Sequence, residues 1–297
     1  MKPTVSILIP CYNAERWVAQ AITSALGQSY PNTEVIVVDD GSIDNSVTVI
    51  KSFEGLIRWQ TQSNQGGNPT RNQLLELSNG EWIQYLDSDD YLLSDKIEKQ
   101  IEFLTQHPEA DVIYSPSIFE YWSDEHSTQE VLAIPKPHDP WVLLARWYLP
   151  QTGSPLWRKS AIAQVGGWKG DQPCCQEHEL YLRLLMAGKK FVYCDYAGSV
   201  YRQWSEATVC RKDMRQTYTQ RLKIKNCMEQ YLSTTNQLSP ERQHAINQAR
   251  FECARKIWLF DRKWAKQIIE QINSSESSFQ PSGEAAPKSY QLTYKFL

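Results

Sequence analysis

Nowhere does the 297-residue chain approach the roughly 18 uninterrupted apolar residues that a membrane-spanning helix needs. Its start, Met1-Lys2-Pro3-Thr4, runs at once into Val5-Ser6-Ile7-Leu8-Ile9, which is too short for a secretory signal and lacks a cleavage site. The seven cysteines are odd in number and include no CxxC pair, and the adjacent Cys174 and Cys175 are poorly placed to bridge each other. A reducing, cytoplasmic compartment is therefore expected, and a zinc site is not. There is no GxGxxG after the first apolar run and no GxxxxGK[ST] anywhere, which removes the main support for dinucleotide-binding and P-loop chemistry. Phosphates, if bound, must be held by a metal and by isolated basic groups such as Arg71. The net charge of −3 goes with no nucleic-acid partner.

What the chain does have is concentrated in Glu81-Trp82-Ile83-Gln84-Tyr85-Leu86-Asp87-Ser88-Asp89-Asp90, a short apolar strand ending in three carboxylates. Such a cluster repels itself unless a cation compensates it. Oxygen-only ligands at this density suit Mg²⁺ or Mn²⁺ better than Zn²⁺. Taken alone, the stretch is equally readable as a strand followed by a solvated acidic turn. The preceding sequence bears on that choice. Val5–Pro10 and Glu34–Val38 are continuous apolar runs, as in strands buried on both faces. A helix pattern from Ala14 places Val18, Ala21, Ile22, Ala25 and Leu26 on one face. A second helix is expected from Asp44 or Asn45, a weaker strand at Leu56–Gln60, and a helix at Pro69–Leu77. Strand and helix thus alternate three times in the first 90 residues or so, which predicts a doubly wound, mostly parallel, Rossmann-like sheet. Ligands of such sheets sit at the carboxyl ends of the strands. Tyr12-Asn13, Asp39-Asp40 and Asp87–Asp90 all fall there, which favours a site over three unrelated turns.

Further on, helices are expected at Ser94–His107, Trp141–Tyr148, Lys159–Val165 and Gln176–Ala187, with short strands at Asp111–Ser115, Phe191–Cys194 and Ser199–Tyr201. Residues 117–140 read as irregular or hairpin-like. Charge then changes sign. Residues 211–271 carry 13 basic and 6 acidic residues, against 16 and 26 in residues 1–210. Ile246, Ala249, Cys253, Ile257, Phe260 and Trp264 form one stripe at helical spacing behind the start signal Ser239-Pro240-Glu241. Its basic flank is either a solvated face or a surface that approaches anionic lipid or an anionic acceptor, at the inner face of the membrane. From Asn273 the Ser-, Pro- and Gly-rich composition predicts a disordered tail.

Residues 6–30 (SILIPCYNAERWVAQAITSALGQSY), 34–46 (EVIVVDDGSIDNS), 66–90 (GGNPTRNQLLELSNGEWIQYLDSDD) and the pair GGW at 166–168 and QEHELYLRLLMAG at 176–188 resemble the successive motifs of family-2 glycosyltransferases. The resemblance spans about residues 4–202. It implies a GT-A fold, with a glycosyltransferase domain over 1–205 (nucleotide half 1–110, acceptor half 111–205), a helical extension over 206–272 and the tail 273–297. It implies inverting transfer of a sugar from a nucleotide-diphosphate donor of UDP, GDP or dTDP type to a glycan or lipid-linked acceptor, with Mn²⁺ or Mg²⁺. In that family the loop after the first strand, here Pro10, Tyr12 and Asn13, lines the base pocket. Asp39 would accept a base N–H, and Arg71 would meet base or phosphate. Asp87-Ser88-Asp89 fits the DXD motif, with Asp89 on the metal and Asp87 on the ribose, or on the metal through water. The base that takes the acceptor proton would be Glu177, with His178 as its rival. Trp168 would stack on a sugar or sit in the core. Four positions depart from the pattern: Thr70 stands for Ala, Gln176 for an acid, Glu177 for the Asp that serves as base, and Trp204 for a His. A non-catalytic sugar-nucleotide or glycan-binding relative, and a metal-dependent nucleotidyltransferase, are the alternatives.

Overall fold

Strand β1 (Val5–Cys11) is buried along almost its whole length. It pairs in parallel with β2 (Thr33–Asp39) through Cys11↔Asp39, and with β4 (Trp82–Tyr85) only as far as Leu8↔Tyr85. Beyond β2 lies β3 (Arg58–Thr61), again parallel. On the far side of β4 comes β9 (Leu156–Arg158), antiparallel to both its neighbours, then β6 (Val112–Tyr114) and β10 (Phe191–Tyr193), which are parallel to each other. The result is a seven-stranded, mostly parallel sheet of order β10-β6-β9-β4-β1-β2-β3. A second sheet of four strands has the order β5 (Tyr91–Leu92), β11 (Ser199–Gln203), β7 (Ser117–Ser123), β8 (His126–Leu132). The computed structural model describes residues 2–123, 126–204, 213–283 and 285–288.

The chain forms two units. The first comprises Met1–Ile134, Pro150–Gln172 and Arg183–Glu206. Its core gathers Val5, Ile7, Ile9, Val35, Val37 and Trp82 from the sheet with Val18, Ala21 and Ile22 of α1 (Val18–Leu26). Each fully buried aliphatic side chain contributes about 1.5–3 kcal/mol. Leu26, which helical spacing puts on the same face, is partly exposed. Helix α1 also starts at Val18 rather than Ala14. The backbone N–H of Ala14 donates to Ser46 and that of Glu15 to Asp44, so these residues hold two loops together instead of opening the helix. Helices α2 (Ser46–Lys51), α3 (Gly67–Leu77), α4 (Lys96–Leu104) and α6 (Lys159–Gln164) follow the expected order.

Pro135–Leu149, Pro173–Leu182 and Ala207–Leu297 make the second unit. The sequence-based divide at 205/206 therefore leaves out two segments that belong with the C-terminal helices. One is α5 (Pro140–Arg146), where Trp141 stacks on Tyr231 and Asp139 accepts from Arg242 at 2.8 Å. The other opens α7 (Gln176–Met186). Helices α8 (Met214–Thr234), α9 (Pro240–Ile257) and α10 (Arg262–Ser275) complete the unit. The apolar stripe read as one helix is broken. Ile246, Ala249, Cys253 and Ile257 are buried, but α9 ends at Ile257, Phe260 lies in an exposed turn, and Asp261 caps α10 by accepting from the Trp264 N–H. The expected disorder from 273 also fails in part, because Phe279, Ala285 and Ala286 are buried in the helical core.

Candidate active site

The order of the large sheet reverses beside β1: the chain steps outward to β2 and β3, then returns to β4 on the other flank. A crevice forms where strands part in this way, beyond their carboxyl ends. Three loops meet there. After β1, Tyr12 is half-exposed, and Asn13 takes a left-handed backbone conformation at φ 49°. The Asn13 N–H donates to Ser42 at 2.9 Å, and its side-chain oxygen accepts from the Ile43 N–H at 2.9 Å. Asn13 thus fastens the first loop to the second, and Pro10, just past the last pair with β4, leads into it.

Asp39 and Asp40 are both buried, and they order different loops. Asp39, not Asp40, caps the turn after β2, with one oxygen accepting from the N–H groups of Gly41 and Ser42 at 3.2 Å each. Gly41 needs its left-handed φ of 76° there, and a Cβ would come within 2.9 Å of the Asn64 nitrogen. Asp40 instead orders the loop before α3, accepting from Gln62 at 2.7 Å and from the backbone of Gln65 and Gly66 at 2.9 and 2.8 Å. The other oxygen of Asp39 is buried and has no hydrogen-bond partner among the described residues.

Behind β4, Arg71 of α3 donates to Asp87 at 2.7 Å. Its guanidinium lies 4.9 Å from the centre of the Trp168 ring. Trp168 is itself buried, edge-on to Tyr85, and Asn72 binds both its backbone N–H and its carbonyl at 2.7 Å. The ring supports Arg71 from within the core, the second of the two places expected for it. Gly167 makes this possible: φ is 70°, and a Cβ would lie 2.5 Å from the Asn72 oxygen.

The three carboxylates of the acidic cluster differ in setting. Asp90 is buried and accepts from the Arg202 backbone at 2.8 Å. Burial, with the charges of Asp89 and Asp87, pushes its carboxyl well above the usual range. Asp89 is half-buried and is raised by burial and then by Asp87. The indole N–H of Trp204 donates to Asp89 at 2.9 Å. Arg202 holds the Asp89–Asp90 end of the cluster. Its guanidinium donates to the Asp89 carbonyl at 2.7 Å, to Glu120 at 3.0 Å and to Gln20 at 2.6 Å. Neither Arg202 nor the Trp204 contact was read from the sequence. The signal available was a lone arginine in a short late strand, which gains meaning only once β11 is known to lie beside β5. These hard oxygen donors around a self-repelling cluster fit a divalent cation such as Mg²⁺ or Mn²⁺. Among the described residues, no three His, Cys, Asp or Glu side chains form a cage on their own.

Glu177, His178 and Glu179 lie in the first turn of α7, in the second unit. Glu177 is half-buried. His178 is buried, with its ring stacked flat on Trp147 at 3.6 Å between centres and edge-on to Tyr181. Arg221 and Lys225 also lie over the Trp147 ring, at 4.5 and 4.7 Å.

The fold and the acidic crevice define a GT-A-type α/β domain. Residues 6–148 match the family described as Glycosyl transferase family 2. An uncharacterized glycosyltransferase of Haemophilus influenzae is 43% identical over 109 residues, which is 35% of this chain and 44% of that protein. The putative teichuronic acid biosynthesis glycosyltransferase TuaG of Bacillus subtilis is 37% identical over 109 residues, 35% of this chain and 43% of its own length. The chain thus spans less than half the length of these relatives. Among solved structures, S. aureus TarS 1–349 in complex with UDP-GlcNAc superposes with a TM-score of 0.61 at 14% identity, covering 93% of this chain and 91% of that one. The mannosyltransferase PcManGT from Pyrobaculum calidifontis, in complex with GDP-Man and Mn²⁺, gives 0.55 at 14% identity, covering 100% and 81%. Among the described residues, no helix is long and apolar enough to cross a membrane.

Proposed function

We propose that this chain transfers a sugar, with inversion, from a nucleoside diphosphate to an acceptor hydroxyl, in the assembly of a surface polysaccharide or lipid-linked glycan. The observation that carries the reading is the second oxygen of Asp39, buried and without a partner among the described residues, in a crevice that also holds Tyr12, Arg71, Asp87 and Asp89. A buried acceptor left unsatisfied costs about 1–3 kcal/mol. A nucleobase N–H is a donor that would relieve that cost. Uracil, thymine and guanine each offer one, and the relatives bound to UDP-GlcNAc and GDP-Man belong to two of these classes.

In this reading Tyr12 stacks on the base and Asp39 accepts its N–H. Asp87 meets the ribose, and Arg71 supplies positive charge beside the diphosphate. Asp89 is the protein ligand of Mn²⁺ or Mg²⁺, whose chemistry is to offset the negative charge on the departing diphosphate. The acceptor oxygen bonds to the anomeric carbon as the bond to the diphosphate breaks, and Glu177 takes the acceptor proton. The burial of His178 under Trp147 supports Glu177 over its neighbour for that role.

The test is a thermal-shift series with UDP, GDP and dTDP, with and without Mn²⁺. One base class should raise the melting temperature in a metal-dependent way. Stabilisation by none of them overturns the donor assignment. Glu177→Gln should abolish turnover and leave nucleotide binding intact. Full activity in that variant overturns the base assignment, and binding without turnover in the parent chain points to a non-catalytic relative.

A further inference from the structure

The break between α9 and α10 places side chains in water that helical packing would have hidden. Leu259 is 78% exposed, Phe260 45% and Trp258 37%. Three neighbouring large apolar residues at a helix–helix turn are an unusual thing to leave in solvent. They are held in place. Phe260 stacks on Tyr218 of α8 and meets Trp264 edge-on, Arg215 bonds Asp261 at 2.9 Å, and Asp261 caps α10.

The turn is ringed with positive charge. Residues 255–266 contain Arg255, Lys256, Arg262, Lys263 and Lys266 against the single acid Asp261, which is already paired with Arg215. Lys256, Arg262, Lys263 and Lys266 are all exposed. Arg262 lies over the Trp258 ring at 5.7 Å, so a cation sits directly beside the apolar tip. An acidic protein partner would suit the bases but not an aliphatic and two aromatic rings at the apex. A Trp, Leu and Phe tip within a basic collar is instead the arrangement that enters the headgroup layer of an anionic bilayer: apolar residues insert, the indole stays at the interface, and Lys and Arg meet lipid phosphates.

We propose that the α9–α10 turn, with Trp258, Leu259 and Phe260 at its tip and Lys256, Arg262, Lys263 and Lys266 around it, docks the protein on the surface of an anionic membrane. This goes beyond the sugar-transfer reading and stands independently of it, because none of these residues belongs to the donor crevice.

The test is co-sedimentation of the full chain with vesicles of equal parts phosphatidylglycerol and phosphatidylcholine, against vesicles of phosphatidylcholine alone. Binding should favour the anionic vesicles and weaken as salt screens the charges. Leu259→Ser should lower the partition about tenfold or more, as expected for removing one buried aliphatic side chain. Lys256→Ser with Lys263→Ser should lower it by a factor on the order of thirty. Both variants should keep the parent melting temperature and nucleotide-induced stabilisation, which separates failure of docking from failure of the donor site. Equal binding to both vesicle types overturns the proposal. So does parent-like binding by Leu259→Ser, even if the lysine pair matters, since the tip would then not insert. A dimer in lipid-free solution that Leu259→Ser converts to monomer also overturns it, because a second copy would then cover the patch.

Discussion

Each unit of the molecule holds an acidic group away from water, and the two are treated in opposite ways. In the helical unit, burial would raise the Glu229 carboxyl, but hydrogen bonds from Arg250 and Gln243 and the Arg250 charge outweigh it and hold it below its usual value. Arg250 is fully buried and reaches Glu229 at 2.5 and 2.7 Å. In the α/β unit, burial raises Asp90 and Asp89, the neighbouring carboxylates add to it, and the Arg202 contacts do not offset the sum. The first arrangement is complete within the chain and serves stability. The second leaves negative charge uncompensated at an open crevice, as sites that await a ligand often do.

The largest effect should come from breaking the complete arrangement. Arg250→Ala strands Glu229 and should destabilise the protein by about 3–5 kcal/mol, read as a fall in the urea midpoint. A shift under 1 kcal/mol would show that the pair is solvated and that the contrast between the units is false. Next comes the incomplete arrangement. Asp89→Asn should lower turnover about a hundredfold to a thousandfold and abolish metal-dependent nucleotide stabilisation, while leaving the urea midpoint close to the parent value. If Asp89→Asn instead unfolds the protein, the cluster is structural like its counterpart.

The half of this contrast at the strand ends was legible from the sequence. Continuous apolar runs ending in Asn, Asp and Asp-Ser-Asp-Asp announce buried parallel strands with polar ends, because a strand buried on both faces leaves its chemistry nowhere else to go. The interior roles were not legible. That Asp39 caps its own turn while Asp40 reaches 22 to 26 residues ahead to the loop before α3 depends on loop geometry, not on residue type. Arg202 and Trp204 lie more than 110 residues from the aspartates they bind. The helical half misled for a different reason: Phe260 and Trp264 keep the helical period across a real break in the helix, so periodicity alone joined two helices into one.

A milder change sharpens the crevice side. Asp39→Asn preserves size and the turn cap but weakens the charge-assisted bond offered by the free oxygen. It should loosen the preferred nucleoside diphosphate about tenfold in an isothermal titration. An unchanged affinity would mean that the base does not lie against Asp39, and the orphaned oxygen would need another explanation.

The smallest effect is a pH dependence that belongs to the helical unit. Because the folded chain holds Glu229 below its unfolded value, the unfolded chain binds more protons as the solution turns acid. The stability contributed by the ionised pair is therefore fully present above the unfolded carboxyl value of about 4.3 and is lost as pH falls through the lower folded value. Glu229→Gln cannot titrate, so it should be less stable than the parent at neutral pH, and the gap should close as the solution is acidified. Urea unfolding of both proteins across that window measures the difference directly. A gap that stayed constant with pH would show that Glu229 is not ionised against Arg250, and the distinction between a completed charge in one unit and an uncompensated one in the other would fall with it.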